Sequence, residues 1–250
     1  MERQWLAAAA LGLASAGAAA VEISVMSTGA VRLAFTEAAS AWEKRSGHKV
    51  NATFEPAGPL RKRLAAGDRG DVLIIPVDNF PALERDGVIV PGSRRDLGAV
   101  AMGVAVRKGA PVPDISTPEA LKRVLSEATS LTYMDPERGT SGKYFDEVVL
   151  GKLGIREAVR SKATLGEGGY IAEKVARGEV ELAFHNITEI LPVQGVTVVG
   201  LLPAELQRPT VYSGAVMSGA KNSREAAALL DYLASSEGRK AFLDRGFTAP

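Results

Sequence analysis

The chain has 250 residues, 46% of them hydrophobic, and its 24% of charged side chains nearly cancel to a formal net charge of +1. That balance gives no global pull towards nucleic acid or a membrane surface, so any preference for an anion must come from local geometry. Cysteine is absent and histidine occurs twice, as His48 and His185, which excludes a disulfide framework, thiol chemistry and zinc sites built on cysteine or on several histidines.

The first residues, Met1-Glu2-Arg3-Gln4-Trp5, lead into an Ala/Leu run from Leu6 to Leu13 and then small residues up to Ala20. A charged start, an apolar stretch and a small-residue end read as a secretory signal over residues 1–20, with cleavage near Ala20. The apolar run is shorter than the roughly 20 residues that span a bilayer, which disfavours a membrane anchor. Removal leaves about 230 residues, enough for one large domain or two modest ones around a hinge. No Ser/Pro/Gly-rich linker interrupts them, so two lobes would be joined by ordinary strands.

The mature chain alternates strand-like and helix-like segments. Val21 to Met26 reads as a strand. Ala30 to Arg45 has helical periodicity through Ala34, Ala38, Ala41 and Trp42, and stops at Gly47 as a C-terminal cap. Lys49 to Phe54 is a strand, Pro59 to Ala66 a helix ended by Gly67, and Asp71 to Pro76 a buried strand. This rhythm predicts a mostly parallel sheet covered by helices. Asn79 to Asp86 reads as a short helix and Val100 to Arg107 as a strand passing to a second lobe. Thr117 to Glu127 opens with an N-cap Thr and Pro118 at the first helical position.

Further on, Leu131 to Met134, Lys162 to Leu165, Glu181 to His185, Val196 to Leu201 and Thr210 to Met217 read as strands. Gly142 to Leu153, Tyr170 to Ala176, Ser223 to Ser235 and Glu237 to Asp244 read as helices, the last packing back on the first lobe. The segments Leu64 to Val72 and Val175 to Leu182 echo each other, each ending a helix at Gly, passing an acidic turn and entering an apolar strand. Two halves built alike would give that echo, although α/β units commonly end this way.

Four turns rich in glycine or small hydroxyl residues precede helices: Ser27-Thr28-Gly29-Ala30, Pro56-Ala57-Gly58-Pro59, Gly139-Thr140-Ser141-Gly142 and Gly166-Glu167-Gly168-Gly169. Unpaired N–H groups and the helix dipole favour an anion there, and open α/β sheets place ligands at the carboxyl ends of strands. Taken singly, each turn is explained better by capping and turn formation; four in matching positions, two per half, lead us to expect that they converge on one cleft. Neither GxxxxGK[ST] nor a GxGxxG after the first strand occurs, which argues against a nucleotide.

Among side chains, His185 ends the strand Leu182-Ala183-Phe184 and could donate to a ligand, act as an acid/base or serve structure alone. Tyr170 either covers a ligand or packs under its helix. Arg61 is a candidate partner for carboxylates or part of a solvated helix face. His48 reads as a solvent-exposed connection, and Asp135-Pro136-Glu137 as an ordinary turn.

The export signal, the Ser27-Thr28-Gly29-Ala30 turn, Tyr133-Met134-Asp135-Pro136-Glu137 with Thr140-Ser141-Gly142, and the closing Gly246-Phe247-Thr248 resemble the molybdate-binding branch of the type II periplasmic substrate-binding proteins of ABC importers. The resemblance covers essentially the whole mature chain. It implies two α/β lobes, each a mostly parallel sheet flanked by helices, joined by two strands crossing near residues 100–107 and 208–217. Residues 21–102 and 209–250 would form lobe I, and residues 103–208 lobe II.

It further implies a periplasmic monomer that holds a small anionic solute, a molybdate-type oxyanion or an organic polycarboxylate, and hands it to a membrane permease. No cofactor, metal or nucleic acid is implied. The ligand would meet Ser27, Thr28, Gly29, Ala57, Gly58, Thr140, Ser141, Gly168, Gly169, Tyr170 and His185. This chain departs from the family where hydroxyls are expected, with Ala30, Ala57 and His185 in place of two Ser and a Tyr. A neighbouring branch of the fold is similar to aconitate isomerase, a cofactor-free enzyme that moves a double bond by proton transfer; there His185 would be the acid/base.

Overall fold

The computed structural model describes residues 19–250, so the signal segment lies outside the described residues apart from Ala19 and Ala20. The strands, in chain order, are β1 (Glu22–Thr28), β2 (Lys49–Glu55), β3 (Val72–Pro76), β4 (Arg95–Val100), β5 (Met102–Arg107), β6 (Leu131–Met134), β7 (Ala163–Gly166), β8 (Leu182–Asn186), β9 (Val196–Leu201) and β10 (Thr210–Val216). The helices are α1 (Arg32–Ser46), α2 (Ala57–Ala65), α3 (Phe80–Arg85), α4 (Pro118–Glu127), α5 (Thr140–Lys143), α6 (Leu150–Leu153), α7 (Arg156–Arg160), α8 (Glu173–Ala176), α9 (Ile187–Ile190), α10 (Ser223–Ala234) and α11 (Ser236–Leu243).

The strands form two five-stranded sheets, ordered β2-β1-β3-β10-β4 and β7-β6-β8-β5-β9. In each sheet the first three strands pair in parallel, and one strand runs antiparallel to both neighbours: β10 in the first, β5 in the second. Each reversed strand is the one that has just arrived from the other sheet. The two orders superpose with β1 opposite β6, β3 opposite β8 and β10 opposite β5, so the echoed segments before β3 and β8 hold equivalent places. The fold is a two-lobed α/β architecture, each sheet flanked by helices.

Alternation along the central strands assigns the helices to faces, because successive side chains point to opposite sides of a sheet. All five residues of β3 are buried, as a strand covered on both faces requires. Val72 and Ile74 pack with α1, α10 and α11 through Phe35, Trp42, Leu229 and Phe242. Leu73 and Ile75 pack on the other face with Leu60, Leu64, Phe80 and Leu83 of α2 and α3. In the second lobe, Tyr133, Phe145 and Phe184 stack together beneath Leu121 and Leu125 of α4. The first of these clusters also includes Ala105, Ala183, Ile187 and Ile190 from the second lobe, so apolar packing continues through the junction.

The stretch expected as one strand, Val100 to Arg107, is two strands in different sheets, with Ala101 as the first crossing. The polar Arg95 and Asp96 hide the start of β4: Arg94 holds Asp96 through two bonds of 2.7 and 2.8 Å, and Ser213 Oγ donates to it at 2.6 Å. The second crossing runs over residues 202–209. Gln207 ties the two together, its Nε2 donating to the Met102 carbonyl at 2.8 Å and its Oε1 accepting from the Met102 amide at 3.0 Å.

Thr117 caps α4 as expected, accepting from the Ala120 amide at 3.1 Å, and α1 ends at Gly47. The helix expected from Gly142 to Leu153 carries a π-helical stretch, Tyr144–Val149, between α5 and α6. His48 departs from the expectation of exposure: it is half-buried, its ring 5.6 Å from that of Trp42, and Nδ1 accepts from the Val21 amide at 3.3 Å.

Asp146, in the π-helical stretch, is fully buried. It accepts from Tyr133 Oη at 3.0 Å, Arg156 Nε at 2.8 Å and Arg160 Nε at 2.6 Å. Burial pushes its carboxyl up, but bonds from Arg160, Arg156 and Tyr133 outweigh it and hold the group below the ordinary carboxylate value. Asp71 balances in the same way, its burial outweighed by bonds from Ser24 and Asn222. For Asp96 the Arg94 bonds dominate and lower it.

A depressed native value means that the unfolded chain takes up these protons first, so the stability is complete above about pH 4 and is lost as pH falls through the native values. Thermal melts should therefore show a flat unfolding temperature near neutrality and a decline below about pH 4. Asp146→Asn should cost about 2 kcal/mol at pH 7, less than for a fully enclosed pair because both arginines are partly exposed, and should flatten the acid decline. An unaltered acid decline in that variant would contradict this origin.

Candidate functional site

The carboxyl ends of β1, β2 and β3 face those of β6 and β8 across a cleft, and the loops that leave them enclose a cavity of about 290 Å³. From the first lobe come Thr28, Gly29 and Ala30 after β1, Phe54 to Ala57 around the end of β2, and Pro76 after β3. The second lobe supplies Met134 with Gly139, Thr140 and Ser141, the turn Gly168-Gly169-Tyr170, and His185, Asn186 and Glu189 at the end of β8. Tyr212 of β10 completes the lining. This is where open α/β sheets form ligand crevices.

The structure brings together Thr28, Gly29, Ala57, Thr140, Ser141, Gly168, Gly169, Tyr170 and His185 from the expected set. Ser27 and Gly58 lie outside the lining. Ser27 is wholly buried, and its hydroxyl donates back to the Thr28 carbonyl at 3.2 Å, because alternation along β1 turns it into the sheet while Thr28 faces the cleft. The Gly58 amide is occupied, donating to the Arg138 carbonyl of the other lobe at 2.8 Å. A Cβ at Gly58 would collide with the Glu137 carbonyl oxygen and crowd Arg138, so glycine here lets the lobes meet.

The Thr28 hydroxyl caps nothing, and the helical turns opening at Pro56 and Gly139 start on residues without a capping side chain. Gly142 is required by close approach, since a Cβ would run into the Met134 carbonyl. The fourth turn differs from expectation. The chain passes Gly168, Gly169 and Tyr170 as an open turn and becomes α-helical only at Glu173. Of the two readings of Arg61, the structure supports the solvated helix face. On α2 the buried stripe is Leu60 and Leu64, which turns Arg61 to the surface, where it reaches Asn79 at 3.4 Å. Arg32 is instead the one Lys or Arg among the lining residues, its guanidinium 4.7 Å over the Phe54 ring.

The cleft floor is a buried polar cluster drawn from both lobes. Asn186 Nδ2 donates to Glu189 Oε2 at 2.9 Å and to Tyr212 Oη at 3.2 Å. His185 Nδ1 lies 2.7 Å from the Asn186 amide and 3.1 Å from Glu189 Oε2. Burial pushes the His185 value down, with the Glu189 carboxylate opposing it, so the imidazole is neutral near pH 7. Its tautomer follows from which neighbour Nδ1 serves: accepting from the amide leaves a proton on Nε2, and donating to Glu189 leaves Nε2 a free acceptor. His185 Nε2 and Thr28 Oγ1 are both buried and without a hydrogen-bond partner.

Asn186, Glu189 and Tyr212 were not foreseen as site residues. A signal for Glu189 existed in the sequence. It follows His185 by four residues inside the apolar stretch Ile187-Thr188-Glu189-Ile190, where a charged side chain is buried only with partners. Tyr212 carried none, since an aromatic residue on an apolar strand reads as core.

The chain matches the family of bacterial extracellular solute-binding proteins over residues 23–248. It is 34% identical to an aconitate isomerase from a Pseudomonas species over 250 residues, covering 96% of this chain and 94% of that protein. With a molybdate-binding protein of Azotobacter vinelandii it shares 30% identity over 229 residues, covering 89% and 88% of the two. In structure it resembles the substrate-binding domain of a putative molybdenum ABC transporter from Clostridium difficile, with a TM-score of 0.71 at 19% identity over 92% of this chain and 100% of that one. The chain belongs to the bacterial extracellular solute-binding protein family.

Proposed function

We propose that this protein is exported, closes its two lobes on a small organic polycarboxylate, and presents it to a membrane permease. The observation that carries the reading is that, of four buried side-chain atoms without partners among the described residues, two, Thr28 Oγ1 and His185 Nε2, belong to residues lining the cavity. A buried polar atom left unpaired costs about 1–3 kcal/mol, and a ligand oxygen would relieve both. The cavity lies at the small end of the range for small-molecule sites, roughly 300–1,000 Å³, yet is roomier than a bare tetrahedral oxyanion needs. Methyl groups of Ala30 and Ala57 stand where the resemblance to molybdate proteins expects hydroxyls.

The moving units would be residues 21–102 with 209–250 and residues 103–208, turning about the two crossings, with the protein monomeric in the periplasm. The relatives' names support a small anion in general, molybdate for one and aconitate for the other.

A second reading is favoured by the His185–Glu189 pair: isomerisation of the bound acid. With Nδ1–H on Glu189, Nε2 takes a proton from a CH₂ beside a carboxylate. The electron pair forms a new double bond to the central carbon as the old one opens, and the imidazolium returns the proton to the former vinyl carbon. Nothing is oxidised or reduced, and Glu189 stabilises the transient cation.

Calorimetry at pH 7 with cis-aconitate, trans-aconitate, citrate, tricarballylate, molybdate and sulfate should find a polycarboxylate among the ligands bound. Silence across the whole panel would contradict the binding reading. Gly58→Ala should weaken that binding about tenfold, the equivalent of one lost hydrogen bond, with an unchanged melting temperature because the open lobes tolerate the methyl. Equal affinity would show that this contact plays no part in closure. If the protein turns over, trans-aconitate followed by proton NMR should drift to a cis/trans mixture, and His185→Asn should slow the drift at least about 100-fold. Unchanged trans-aconitate after prolonged incubation would remove the isomerase reading and leave binding intact.

A further inference from the structure

The Glu189 carboxylate is an unexpected lining for an anion site. It is buried, with 7% exposure, and stands on the cleft floor. Its Oε2 is engaged by Asn186 Nδ2 and lies against His185 Nδ1. Among the described residues no hydrogen bond reaches Oε1, and this oxygen points to the loop after β1, where a Cβ placed on Gly29 would lie 3.2 Å away. The neighbours cannot neutralise it: Asn186 and Tyr212 are uncharged, burial keeps His185 neutral, and Arg32 sits on the exposed side of the cavity over Phe54.

An ionised carboxylate can only accept hydrogen bonds. A ligand atom opposite Oε1 must therefore donate, and an acceptor-only oxygen there would meet a like charge in a partly dehydrated site, an arrangement that sets specificity by repulsion as well as attraction. We infer that Glu189 makes the cavity select anions that carry a hydroxyl or a retained acid proton, and reject fully deprotonated tetrahedral dianions such as sulfate, molybdate and tungstate. This rests on the reading of the cleft as a small-anion site. Under it, a polycarboxylate enters with a hydroxyl or one protonated carboxyl turned to Glu189.

Two ligand pairs isolate the donor. Hydrogen phosphate and sulfate share size and shape, but at pH 7 only phosphate keeps a proton; citrate and tricarballylate differ by one hydroxyl. In calorimetry at pH 7 the wild-type protein should prefer the donor-bearing member of each pair at least tenfold. Glu189→Gln keeps an oxygen to accept from Asn186 and offers an amide donor to the ligand. It should raise sulfate affinity at least tenfold and erase the phosphate preference, with circular dichroism melts showing the variant folded.

Wild-type protein that binds sulfate or molybdate as tightly as the donor-bearing anions would overturn the inference, whether or not the variant folds. So would a folded variant with unaltered ratios. If neither protein binds any anion, the solute-site reading itself falls and takes the inference with it. Polycarboxylate binding without donor preference removes only the role given to Glu189.

Discussion

Buried hydrogen-bonding atoms need partners, and of the four side-chain atoms left without one among the described residues, two stand on residues that line the cleft. Thr28 and His185 stand at strand ends, where the chain turns from sheet to helix and backbone bonding is interrupted. Two of their neighbours are tied together: Asn186 spans from the second lobe to Tyr212 of the first, and it holds Glu189 through Oε2. The bonds of Asn186 hold this floor in place around the open valences of Thr28 and His185.

The two-sheet architecture places those groups opposite each other. Each sheet presents the carboxyl ends of its parallel strands to the cleft, and each receives one reversed strand from the other lobe. The crossings at Ala101 and residues 202–209 lie side by side and are bound by Gln207 to the Met102 backbone. Any relative motion of the lobes is thereby confined to two short segments. Contact across the cleft mouth, with the Gly58 amide on the Arg138 carbonyl, can form only if no side chain intervenes.

Much of this was legible in residue order. Apolar runs marked most strands to within a residue or two; β3 is apolar throughout and β8 opens with Leu182-Ala183-Phe184, both buried on both faces. All four glycine-rich turns contribute residues to the cavity lining, and three of them open a helical turn there; close approach of backbone to backbone at Gly58 and Gly142 demands that residue type. Strand β4 was hidden because its first residues, Arg95 and Asp96, are satisfied by separate ion pairs, with Asp231 and Arg94, rather than by burial in an apolar core. Ser27 was placed in the cleft because local sequence names a loop but does not say which way a side chain turns, and one residue along a strand reverses it. Tyr212 belongs to the cleft only through a pairing made more than a hundred residues away from the first loops, which no local pattern encodes.

Family membership explains the scaffold and leaves the ligand to a few side chains. Ala30 and Ala57 bring only methyl groups to the cleft, and His185 beside Glu189 gives the floor both donors and acceptors. The central claim is that Thr28 Oγ1 and His185 Nε2 complete their hydrogen bonding on the bound anion. A crystal structure of the protein with a bound polycarboxylate tests it most directly. The account predicts ligand oxygens within about 3.2 Å of both atoms, and a ligand seated elsewhere, or one in the cleft that leaves both atoms unpaired, would contradict it.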